Sequence, residues 1–291
     1  MHVLAMVACG GDDGGGPGPG PDADVVDSGS VDGGASDADL PPTDGGADAG
    51  PPPMLCEARE VRCQEASVAE LRLFEAPAPA GLITEEGTTP GEFLTHVDAT
   101  ARPMSGTVPT TSYVYARFTP TGLEQVGIGD EDAFDSLDWD IAFRRFVIRL
   151  NSGVSGPSCV RGVRVPPIGG APATFEAVTR VPDALSLFEE SYFSETSPGS
   201  CVLVNDGSGL PGSPDTVLAS YWRYGGVGCL QMTGNVYVVA LRNGRHVKLQ
   251  VTGYYSPANQ ERCQMDLAPE MPSGAANLRI RWAFVDGPAG G

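Results

Sequence analysis

The chain has 291 residues and a formal net charge of −19, with 37 acidic against 18 basic side chains. An acidic chain without a basic cluster argues against nucleic acid or anionic lipid as a partner. Composition shifts near residue 55, so one tail precedes one ordered region of ample length for a single core.

Residues 1–9 are a short apolar run that ends in a small residue and Cys9. This resembles the lipobox of bacterial lipoproteins, which implies a lipidated Cys9 at the outer membrane, on the cell surface or the periplasmic face. The run lacks a basic start and is short for a signal peptide, so it reads as a truncated one. Residues 10–55 are mainly Gly, Pro, Asp, Ala and Ser with scattered Val, and residues 1–55 hold ten Asp but no Lys, Arg or Glu. Such a segment buries too little apolar surface to offset ordering entropy and is expected to be a disordered tether. Its Asp spacing does not match a calcium loop.

Residues 56–109 read as an N-terminal extension of the domain. Val68, Leu71 and Phe74 have helical spacing, while Leu71, Leu73, Leu82 and Ile83 suit edge strands equally. Residues 113–118 are strand formers, Pro120-Thr121-Gly122 turns the chain, and 123–128 returns it. Asp130-Glu131-Asp132 is expected to be a solvated loop. Then comes Asp138-Trp139-Asp140-Ile141-Ala142-Phe143, with Trp139, Ile141 and Phe143 on one face of an extended chain. The apolar parity slips at Arg144-Arg145, which predicts a β-bulge or sharp bend. Asn151-Ser152-Gly153 ends the strand, since Asn and Gly tolerate positive φ.

Residues 157–235 are rich in Gly and Pro and predict long loops over a β scaffold, with a turn at Asn205-Asp206-Gly207-Ser208-Gly209. Residues 235–255 predict a hairpin with a type I′ turn at Asn243-Gly244. Val247, Leu249 and Val251 share one face of its second strand; His246, Lys248, Gln250 and Thr252 share the other. Residues 256–276 read as a polar loop. Leu278, Ile280, Trp282 and Phe284 alternate in a closing strand, and 286–291 is expected to be a flexible tail.

Six cysteines follow Cys9: Cys56, Cys63, Cys159, Cys201, Cys229 and Cys263. An even count in an exported chain implies disulfides, and without a C-x-x-C pair no zinc or other metal site is expected. Spacing does not choose the pairing; nearest neighbours give Cys56–Cys63, Cys159–Cys201 and Cys229–Cys263. No nucleophile elbow, metal triad or phosphate loop occurs, so an enzyme is not expected.

The Trp139-Asp140-Ile141-Ala142-Phe143 strand, the basic-aromatic strand after it and the Asn151-x-Gly153-x-Ser155-Gly156 turn resemble the signature of the HmuY-like family of haem-binding surface lipoproteins of Gram-negative bacteria. Residues 248–255 and 278–284 resemble two later strands of that family, so the likeness spans about 110–285. It implies an all-β, antiparallel, sheet-rich single domain with long loops that clamp haem in an apolar slot. It also implies two axial ligands, His or Met, one within 178–196 and one near 221–226. Neither segment holds His or Met here. The substitutes are Met232, Tyr224 and His246, with His96 a further histidine and Arg223 placed to pair a propionate. Partners implied are haem and an outer-membrane transport or host cell-surface protein. The alternative is a structural or binding module that has lost the haem ligands and takes a glycan, another apolar ligand or a protein.

Overall fold

The computed structural model describes residues 56–101, 110–197, 199–210 and 212–288. Cys9, its lipobox and the acidic tether lie outside the described residues. In chain order the elements are α1 (Gln64–Glu70), β1 (Ile83–Thr89), β2 (Glu92–Asp98), β3 (Val114–Thr119), β4 (Gly122–Val126), β5 (Ile141–Arg144), β6 (Val147–Leu150) and β7 (Arg161–Arg164). They continue with β8 (Phe193–Ser197), β9 (Ser200–Leu203), β10 (Trp222–Tyr224), β11 (Leu230–Met232), β12 (Val236–Ala240), β13 (His246–Gly253), α2 (Pro257–Gln264) and β14 (Asn277–Val285). The fold is all-β with antiparallel strand pairs. A six-stranded sheet runs β1-β2-β14-β13-β12-β7 and a four-stranded sheet runs β4-β3-β5-β6; β8-β9 and β10-β11 are separate hairpins.

Alternation explains the large sheet. Val247, Leu249 and Val251 of β13 point into the core, beside Leu278, Ile280 and Trp282 of β14. Trp282 is fully buried, stacks on Phe93 at 4.2 Å and donates its indole N–H to Thr95 at 2.8 Å. Phe118 of β3 meets Trp282 edge-on at 5.0 Å, so both sheets feed one core. Burying an aromatic of this size stabilises by about 2–3 kcal/mol. The sheets are also tied at one edge, where Leu82 N–H donates to Gln125 and Leu123 N–H to Glu85.

Several expectations are corrected. The 138–156 stretch is not one bulged strand. Arg144 pairs with Val147, and Arg145 takes φ 54° in a two-residue turn, so β5 and β6 form a tight hairpin. Trp139 precedes β5 and packs with Tyr113, Tyr115, Ala133 and Ala142, on the side away from Ile141 and Phe143. The β12–β13 loop is not type I′. Asn243 is absent from the positive-φ residues, Gly244 alone has φ 81°, and Gly244 N–H donates to the Leu241 carbonyl, so the loop is longer and ends in a left-handed glycine. Residues 256–276 contain α2, started by Pro257 at its first turn. Asp286 does not fray: it bridges Arg180, and its carbonyl accepts the Val181 N–H.

The disulfide pairing is corrected at two of three bonds. Cys56 bonds Cys159 and Cys63 bonds Cys201, while Cys229 bonds Cys263 as nearest neighbours predict. Packing, not sequence distance, selects the partners. The entry segment runs beside 157–159, with Arg59 N–H donating to the Pro157 carbonyl, and α1 lies against β9. Among the described residues, no helix is long and apolar enough to cross a membrane.

Candidate functional site

The family-like signature builds a fixed corner. Asn151 donates to the carbonyls of Ser136 and Trp139 and accepts the Ser158 N–H. A Cβ on Gly156 would collide with Asn151 and Trp139, and one on Gly153 with the Glu190 carbonyl. Ser155 bonds the Tyr192 hydroxyl at 2.9 Å. Trp139, Ile141, Ala142 and Phe143 are all fully buried. These residues pack; none lines a cleft that admits a ligand through its side chain, except that Gly153 and Gly156 border a small polar hollow beside Arg59 and Glu189. Asp140 accepts the Phe118 N–H, and burial pushes its carboxyl up to about 6.

That corner positions Glu190. Its Oε1 accepts the Leu150 N–H at 2.9 Å and its Oε2 the Val217 N–H at 3.0 Å, while Ser152 and Val154 bond its backbone. Burial pushes its carboxyl up to about 7, against the lowering effect of those two N–H groups. Glu190 therefore joins the end of β6 to the 204–217 loop. Two residues earlier, Phe188 exchanges both backbone hydrogen bonds with Gly162 of β7.

Two clefts meet along this line and share Asp215. One, of ≈340 Å³, is bordered by Val163, Arg164, Phe188, Thr216 and Val217. The other, of ≈460 Å³, is bordered by Asp206, Ser208, Ser220, Trp222, Arg223 and Tyr224. Phe188 is 58% exposed and Tyr224 41% exposed. Thus the two segments expected to carry ligands, 178–196 and 221–226, border adjoining clefts. Trp222 is held edge-on between Phe146 at 5.7 Å and Tyr224 at 5.1 Å. Asp206 is spent on its own turn, accepting from Ser208 N–H and Ser213 hydroxyl. Burial, then Asp206, raises the Asp215 carboxyl. Burial also raises the Tyr224 phenol, followed by Tyr255 and Asp206.

The three substitute ligands do not converge. Tyr224 borders the larger cleft. Met232 lies opposite Trp222 on β11 with its side chain in the main core, 9% exposed. His246 stands at the far end of β13 from Tyr254 and Tyr255, beside Val285 and Gly287; burial and then Arg161 lower its pKa. His96 Nε2 lies 2.9 Å from Asn277 Oδ1 on the large sheet. Arg223 is exposed on the cleft rim.

A third cleft of ≈530 Å³, mostly apolar, lies between the end of β13 and α2, bordered by Thr252, Tyr255, Pro257, Met265 and Arg279. Met265 is 64% exposed and has no sequence cue, because it caps a helix read as loop. Among the described residues the cluster compact enough for a metal is Cys63, Glu195 and Cys201, whose two sulfurs are joined in a disulfide. The reading of residues 130–132 as a solvated loop is also corrected: Asp130 is fully buried, while Glu131 and Asp132 are exposed.

A family model described as HmuY protein matches residues 95–268. Among solved structures, the chain is similar to a Bacteroides vulgatus ATCC 8482 protein described as a HmuY-like haem-binding protein. That match has 13% identity, covers 69% of this chain and 96% of that one, and has a TM-score of 0.39. It is also similar to the apo HmuY analog of Tannerella forsythia, at 14% identity, 70% and 96% coverage and a TM-score of 0.36. A Bacteroides fragilis NCTC 9343 protein described as a lipoprotein has 10% identity, 68% and 94% coverage and a TM-score of 0.40. No curated protein sequence matches. The family match runs from within β2 to just past α2, more than half of the chain, and the chain belongs to the HmuY family.

Proposed function

We propose that this protein captures haem on a lipid-anchored surface module, with Tyr224 as the iron ligand. Anchoring is through Cys9 to the outer membrane, and the role is binding, not catalysis. The observation that carries the reading is Tyr224 itself, which borders a cleft and is 41% exposed, whereas Met232 is buried in the core. A phenolate is a known iron(III) ligand in haem proteins. Tyr224 supplies an exposed ring beside the buried Trp222, and Arg223 stands on the rim for a propionate. Haem captured this way would pass to an outer-membrane transport protein.

The test is a haemin titration of the oxidised chain, followed by absorbance. A saturable one-to-one Soret shift is expected, with at least tenfold weaker binding for Tyr224→Phe and unchanged binding for His246→Ala. Absence of any shift beyond that produced by an unrelated acidic protein overturns the reading.

A second reading has its own observation. Asp206, Ser208, Asp215 and Ser220 place hydroxyls and carboxylates around Trp222 and Tyr224, a mix that suits a sugar ring. Glycan binding without a Soret shift, lost on Trp222→Ala, would favour it.

A further inference from the structure

A cleft of ≈600 Å³ lies where α1 meets the turn between β5 and β6. Its border includes Arg72, Arg144, Arg145, Glu70, Tyr113 and Phe146. Three arginines against one glutamate make a local cationic excess in a chain of net charge −19, with the Arg145 guanidinium also bonded to the Tyr254 hydroxyl.

The charge behind this wall is incompletely balanced. Arg144 is 6% exposed and donates to the carbonyls of Leu71 and Arg72 and, at 3.3 Å, to Asp130. Asp130 also accepts the Phe74 and Tyr113 N–H groups and the Tyr115 hydroxyl. A second guanidinium, Arg149, is fully buried next to it. Arg144 and Arg149 lie 4.1 and 4.0 Å from the centroid of the same Tyr113 ring. Arg149 Nη2 donates to Tyr115, but its Nε and Nη1 have no hydrogen-bond partner among the described residues. Glu190, the other acid in its field, is engaged by two backbone N–H groups. One carboxylate, Asp130, thus stands beside two buried guanidiniums and pairs directly with Arg144 alone.

The rim residues are also held in an uncommon conformation. Arg72 has φ 50° and Arg145 φ 54°, the left-handed region that L side chains rarely adopt. Arg145 is fixed there by its N–H to the Ala99 carbonyl at 2.7 Å. Strained non-glycine residues gather at ligand sites, and both of these border one cleft.

We propose that this cleft binds an oxyanion, a carboxylate or a phosphate group, received by Arg72 and Arg145 with Arg144 behind them. Forked guanidinium donors match a two-oxygen anion, and partial burial limits screening by salt. This cleft and the Tyr224 cleft share no bordering residue, although Phe146 of the one packs on Trp222 of the other.

The test is isothermal calorimetry of the full oxidised chain with sodium phosphate or with succinate, against sodium chloride at matched ionic strength. Saturable binding of phosphate, succinate or both is expected; whichever binds names the source of the oxyanion. Arg72→Gly/Arg145→Gly should weaken it at least tenfold, and glycine at both positions suits their φ, so the fold is kept and the melting temperature without ligand checks this. Arg117→Ala, an exposed arginine on β3 outside the border of the cleft, should bind as the parent does. Equal heats from chloride, or parent-like binding by the double glycine variant, overturn the proposal.

Discussion

Four donors converge on the carboxylate of Asp130, and one of them is the guanidinium of Arg144. Removing one partner of a buried pair leaves the other charge uncompensated, which costs about 3–5 kcal/mol. Asp130→Asn should therefore lower the urea midpoint strongly, while the exposed Asp132→Asn should shift stability by less than about 0.5 kcal/mol. Equal effects would show that the buried pair contributes nothing special. Nothing in the one-dimensional pattern separates Asp130 from its two acidic neighbours, because burial there comes from Phe74 and Tyr113, distant in sequence. Glu190 and Asp140 give a pH signature. Both carboxyls are raised by burial, to about 7 and about 6, so their ionisation opposes folding. The stability they lend is complete below about pH 4 and is lost as pH rises through 6 and 7. The melting temperature should be higher at pH 5 than at pH 8. Glu190→Gln should flatten that slope, at the expense of one buried acceptor. Glu124 and Glu176 are lowered by Arg117 and Arg281, the opposite sense, but both acids are exposed and screened.

At the scale of elements, β10 and β11 form a three-residue hairpin that cannot hold itself. The Cys229–Cys263 bond ties it to α2, and Gln231 bonds both the Cys263 carbonyl and Asp266. Closing a 34-residue loop is worth about 3–4 kcal/mol in the chain-entropy model. Cys229→Ser/Cys263→Ser should raise amide exchange in β10 and β11 ahead of β12–β14, and should loosen the Tyr224 cleft first. Exchange rising uniformly over the large sheet would contradict this. The β12–β13 hairpin was legible from sequence because alternation and an Asn-Gly pair act locally. The β5–β6 hairpin was half legible: the parity slip at Arg144-Arg145 marked the turn, but a bulge and a two-residue turn give the same slip. The Cys56–Cys159 and Cys63–Cys201 bonds were not legible, since α1 meets β9 only through tertiary packing. Of the candidate site, only two segments that border adjoining clefts were legible, not a ligand: Met232 looks like a loop thioether in sequence and is core in space.

For the whole molecule, two of the three disulfides act as shortcuts for mechanical load. A pull between Cys56 and Pro288 follows the chain to Cys63, crosses to Cys201, runs on to Cys229, crosses to Cys263 and leaves. Only about 60 residues lie on that route, so the oxidised chain should lengthen to roughly 20 nm, against roughly 80 nm when reduced, at about 3.5 Å per residue. Single-molecule pulling with and without a thiol reductant would measure this, and equal contour lengths would refute it. The β1 and β2 strands and the Asp130–Arg144 corner sit inside closed covalent loops, whereas β14 lies on the loaded route after Cys263. A module dragged by its N-terminal end would thus keep most of its strands off the line of tension and load β14 and the segment that carries Tyr224.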